Sequence, residues 1–78
     1  MVTQLRMIRT ARGLTIRELA KMTGIHEICL NVTDLGQKYA PLKWRKPLAD
    51  ALNVPVDSIF DENGWPILYV KDSDPLTV

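Results

Sequence analysis

The chain has 78 residues, 46% of them hydrophobic and 24% charged, and a formal net charge of +1. That length allows one small domain, and the composition is that of an ordinary globular protein and does not suggest a disordered chain. The near-zero net charge hides an asymmetry: residues 1–46 hold nine Lys or Arg against three acids, net +6, and residues 47–78 hold one Lys against six acids, net −5. The front half can face phosphate; the back half would be repelled by it.

A domain of this size buries only about 60–65% of the surface its unfolded chain exposes, so a partner subunit is expected. The single cysteine, Cys29, excludes an intramolecular disulfide and fits a reduced, cytoplasmic setting. The opening MVTQLRMIRT alternates charged and apolar residues, and no apolar run approaches the roughly 18 residues of a membrane span, so neither a leader nor a membrane contact is expected.

In chain order, Leu5, Ile8 and Ala11 or Arg12 predict an amphipathic helix over residues 3–12, closed by Gly13. Thr15-Ile16-Arg17-Glu18 reads as a capping box opening a short helix over 15–22, in which Leu19, Ala20 and Met22 follow. Thr23-Gly24 breaks it, because glycine enters a left-handed turn at low cost. Ile25 would plug the inside of that turn. A third helix is predicted from His26 to Leu35, closed by Gly36, and Gln37 to Pro41 is a loop.

Leu48, Ala49 and Leu52 have helical spacing. Pro47 fits best in a first helical turn, so the fourth helix is expected to start firmly near Lys46, with residues 42–45 as a turn or kinked entry. Residues 55–60 form a fifth, short helical piece. Asp61-Glu62-Asn63-Gly64 is a turn signal, and Trp65–Val70 is apolar and β-prone with Pro66 near its start, which suits an edge strand. The polar last eight residues are expected to fray.

Several segments then carry a family likeness together: Leu5, Arg9, Gly13-Leu14-Thr15, Glu18-Leu19-Ala20, Gly24-Ile25, Leu30, Asp34, Gly36, Ala49-Asp50-Ala51-Leu52-Asn53-Val54 and Ile59-Phe60. In this order and spacing the chain resembles the Cro/C1-type (XRE) helix-turn-helix regulators of phage and mobile elements. The resemblance covers about residues 4–60. It implies an all-α, five-helix lambda-repressor-like bundle over residues 1–61. The extension, 62–78, would be a dimerisation strand and tail, or would fold back with Trp65 covering Phe60. It further implies a homodimer on a double-stranded operator, with 26–35 as recognition helix, no cofactor and no enzymatic role.

Carried onto this sequence, DNA contacts fall at Thr15, Ile16, Arg17, His26, Glu27, Ile28, Asn31, Val32, Lys38, Tyr39 and Lys43. Arg9 and Asp34 match a structural ion pair of the family, the plain alternative being two solvated charges. Leu30 would pack inward on Leu19 and Leu48. Trp44 and Cys29 read as core rather than site. One His and one Cys leave no metal set and no nucleophile with its base.

The base-facing alphabet departs from the family. Major-groove reading relies on Arg to guanine and on Asn or Gln to adenine. Ile28 and Val32 can offer only apolar contact to thymine methyls, and Glu27 can accept from cytosine. Thr33 stands where the family has a large aliphatic residue, and should pack about 1–2 kcal/mol less well. Ile28, Val32 and Leu35 together form an apolar strip, which suits a protein contact. The alternative function is therefore an antirepressor, which would grip a partner repressor, or another protein-interaction module that uses the apolar face of the same helix.

Overall fold

The computed structural model describes residues Val2–Tyr69. Four helices run as α1 (Gln4–Ala11), α2 (Ile16–Thr23), α3 (Glu27–Asp34) and α4 (Leu42–Leu52). A single 3-10 turn (Val56–Ser58) follows, and two short strands, β1 (Val2–Thr3) and β2 (Leu68–Tyr69), pair antiparallel with Thr3 opposite Leu68. The fold is thus mostly helical with a small sheet. It is not all-α, and it has four α-helices among the described residues where five helices were expected.

The first three helices start where local chemistry supplies a cap. The Thr3 hydroxyl accepts from the Arg6 N–H, Thr15 and Glu18 form both halves of a capping box, and His26 Nδ1 accepts from the Ile28 N–H. Such caps typically contribute about 1 kcal/mol each. The helices bury one apolar cluster. Leu5 of α1, Leu19 of α2, Leu30 of α3 and Leu48 and Leu52 of α4 are fully buried, with Ile59 and Phe60 beneath them. Each such side chain contributes roughly 1.5–3 kcal/mol.

Two expectations about the second half are corrected. Helix α4 begins at Leu42, not near Lys46, and carries Pro47 inside it. Proline removes one N–H from the ladder. The first turn is held from outside instead: Arg45 Nε donates to the Ala40 carbonyl at 2.8 Å, and Trp44 packs half-buried on the core. The expected fifth helix is cut to its 3-10 turn. Beyond it the chain turns back: the Ile59 carbonyl accepts from the Ile67 N–H at 2.9 Å, and Asp61 N–H donates to the Trp65 carbonyl.

The C-terminal segment therefore folds back on its own chain. Pro66, not Trp65, sits opposite Phe60, and Gln4 N–H donates to the Ile67 carbonyl at 2.7 Å. Trp65 is half-exposed and tilts against Tyr39 instead. The strand expected to pair across a dimer axis is paired with Val2–Thr3 of the same chain. Val70 and the eight residues expected to fray lie outside the described residues.

Candidate nucleic-acid interface

Helix α2, the turn Gly24–His26 and α3 form one rigid corner. Gly24 closes α2 in the left-handed region at φ +76°, its N–H returning to the Ala20 carbonyl. Ile25 is buried in the turn. His26 caps α3 with its own ring nitrogen.

Helix α3 has two unlike faces. Leu30, Thr33 and Asp34 are buried, and Cys29 is half-buried against the core. The Thr33 hydroxyl donates to the Cys29 carbonyl at 3.3 Å, so the polar replacement is satisfied by its own helix. Glu27, Ile28, Asn31 and Leu35 face outward, Ile28 being 70% exposed. Val32 and Ile16, both expected to face bases freely, are only half-exposed, and Ile16 packs partly against the core. Their exposed area is what remains for contact.

The angle of α3 is fixed by a buried ion pair. Arg9 Nε donates to Asp34 Oδ1 at 3.0 Å and Nη2 to Oδ2 at 3.2 Å, a bidentate arrangement. Arg9 Nη1 donates to the Leu14 carbonyl at 2.6 Å. One guanidinium thereby ties α1, the α1–α2 turn and the end of α3.

Around this corner the charges are mostly positive. Thr15, Arg17 and Lys21 are exposed along α2, and Lys38, Tyr39 and Lys43 are exposed beyond α3. Arg17 Nε lies 3.7 Å from Glu27 Oε1, so the acid at the head of α3 faces a cation of its own chain. An open hollow lies in this turn, lined by Arg17, Lys21, Gly24, His26 and Glu27 among others. Glu18 carries a lowered pKa, because the Thr15 backbone N–H and then its hydroxyl hydrogen-bond the carboxylate.

Sequence reasoning missed three polar anchors. The Thr3 hydroxyl donates to the Asp34 carbonyl at 2.7 Å, Arg12 Nε to the Leu52 carbonyl at 2.7 Å, and Arg45 Nη2 to the Asn63 carbonyl at 3.1 Å. Their partners lie 18 to 40 residues away. No local pattern marks them.

No known protein family matches the chain, and no curated protein is significantly similar to it.

Proposed function

We propose that the protein is a Cro/C1-type helix-turn-helix regulator that binds double-stranded operator DNA as a homodimer, with α3 as its recognition helix. The carrying observation is the two-faced α3: its inner face is locked by Leu30 and the Arg9–Asp34 pair, and its outer face is left to Glu27, Ile28 and Asn31. In this reading Asn31 offers the amide pattern that suits adenine, and Ile28 meets a thymine methyl. Arg17, Lys38 and Lys43 take phosphates, with Thr15 beside the free N–H groups of α2. The Arg17–Glu27 pair offsets the acid that would otherwise oppose the backbone. Blocking an operator needs no cofactor and no catalysis, and such a protein would act in the cytoplasm.

A second reading follows from one observation, the apolar strip of Ile28 (70% exposed), Leu35 (43%) and half-buried Val32. The same helix would then hold another protein, such as a partner repressor, as an antirepressor does.

Binding to the DNA flanking its own gene over a salt series separates the two. A DNA reader loses affinity with a log–log slope of about −0.9 per phosphate neutralised. Lys38→Ala should weaken all sequences alike, and Ile28→Asp should change sequence preference. Salt-insensitive binding, or Ile28→Asp leaving DNA affinity intact while ending capture of a purified repressor, would replace the first reading with the second.

A further inference from the structure

Away from the α2–α3 corner, an open groove of about 680 Å³ runs between the start of α4 and the segment after Asn53. Pro55, Val56 and Ile67 supply its apolar surface over the buried Phe60, and Asp57, Asp61 and Glu62 also line it. Arg45 reaches it too, but its guanidinium is committed to the Ala40 and Asn63 carbonyls. Asp61 Oδ1 accepts from the Asn63 and Trp65 N–H groups. Asp57 and Glu62 are exposed, so the rim is acidic.

Leu42 stands at the lip of the same groove and is 78% exposed. Lys46, one helical turn further along α4, is exposed and, among the described residues, makes a surface contact of 3.5 Å to Asp50. An exposed leucine with a lysine beside it is the chemical complement of an apolar groove with an acidic rim. Both parts lie on one face of one molecule. That is the condition for a two-fold contact, in which each copy offers what it receives.

We propose that a second copy of this chain occupies the groove. Leu42 of each protomer enters the apolar lining formed by Val56 and Ile67 of the other, and Lys46 faces the Glu62 carboxylate across the axis. Burial of Leu42 supplies the drive, and the charges select register and partner. The proposal specifies the interface of the homodimer invoked above, and it requires no DNA contact.

Sedimentation equilibrium of the full chain, without DNA, tests it. The wild type should be a dimer. Leu42→Glu should raise the dimer dissociation constant by at least about tenfold, as expected for a central anchor. Its melting curve as a monomer should match the wild-type protomer, since the side chain is mostly in solvent. Lys46→Glu and Glu62→Lys should each weaken the dimer, and the double exchange should restore it. A wild type that stays monomeric up to millimolar concentration overturns the proposal, as does a dimer indifferent to Leu42→Glu. Dissociation by Ile28→Asp in place of Leu42→Glu overturns it as well. So does a monomer whose groove binds a synthetic Lys/Leu peptide. The DNA reading fails separately: Leu42→Glu should still bind a single half-site with a steep salt slope, and loss of all DNA binding by an intact dimer would sink that reading alone.

Discussion

The α2–turn–α3 corner and the segment that closes the molecule, residues 55–69, are built by different rules. The caps and the turn of the corner are written locally. Thr15 and Glu18 cap each other three residues apart, Gly24 turns the chain, and His26 caps the next helix. The closing segment is held by bonds that span the chain: Ile67 accepts from Gln4, Leu68 pairs with Thr3, and Asn63 accepts from Arg45. A corner of the first kind keeps its shape while its outer residues change. A segment of the second kind holds only while both ends are in place.

The largest effect should come at Asp34, which is linked through Thr3 to the closing segment, since Thr3 pairs with Leu68. Asp34 is fully buried, it faces Arg9, and its carbonyl accepts from Thr3. Asp34→Ala leaves the Arg9 guanidinium buried without its anion, a change that costs about 3–5 kcal/mol. Urea denaturation should show a loss of that size and an unfolded fraction even in dilute buffer. A loss under about 1 kcal/mol would mean that the pair does not set the angle of α3.

This comparison also explains what was legible in advance. The positions of α1, α2 and α3 follow from caps and apolar spacing, and Leu30 lies in the same buried cluster as Leu19 and Leu48, as the spacing implied. The start of α4 was not legible, because Pro47 argues locally for a later start. The partners that hold the first turn, Ala40 and Asn63, lie outside the helix. The fifth helix shrinks to a 3-10 turn for a related reason: Pro55 to Phe60 has helical composition, but Phe60 is already bridged to Pro66, a partner outside the segment. In the candidate site, Glu27, Ile28 and Asn31 were singled out by the family resemblance, and all three are exposed. The partial burial of Ile16 and Val32 was not legible, since it depends on how neighbouring elements pack over them.

Two glycines sharpen the contrast. Gly24 and Gly64 both have positive φ, +76° and +85°. A Cβ on Gly24 meets nothing within 4 Å, so Gly24→Ala should cost only the left-handed strain of about 1–2 kcal/mol. A Cβ on Gly64 would lie 2.6 Å from the Ala40 carbonyl oxygen and would collide with the Arg45 guanidinium. Overpacking then adds about 1–3 kcal/mol to the same strain. Paired thermal melts should rank Gly64→Ala well below Gly24→Ala. Equal melting temperatures would show that the closing segment yields as easily as the corner.

Thr3 probes the link from the other side. Its hydroxyl accepts from the Arg6 N–H and donates to the Asp34 carbonyl, while its backbone belongs to β1. Thr3→Val keeps shape and β-propensity but removes both bonds, and should cost about 2 kcal/mol from a lost cap and an unpaired buried carbonyl. Hydrogen exchange should speed up both at the start of α1 and at β2. Acceleration confined to α1 would show that the sheet is held without Thr3.

The smallest effect lies within the corner itself, at Glu18. Its pKa is lowered because the Thr15 backbone N–H, and next the Thr15 hydroxyl, hydrogen-bond the ionised carboxylate. A depressed carboxylate stabilises the fold above the pKa of the unfolded chain, about 4.3 for glutamate, and loses that contribution as the pH falls through the lower folded value. Glu18→Gln keeps an acceptor for the Thr15 N–H but no charge to titrate. The variant should therefore be slightly less stable than the wild type near neutrality, and the gap should close on acidification. Denaturation midpoints of the two proteins, measured from neutral pH downward, check this. A gap that widens toward acid would mean the capping box prefers the protonated side chain, and the local rule said to build the corner would fail at its first residue pair.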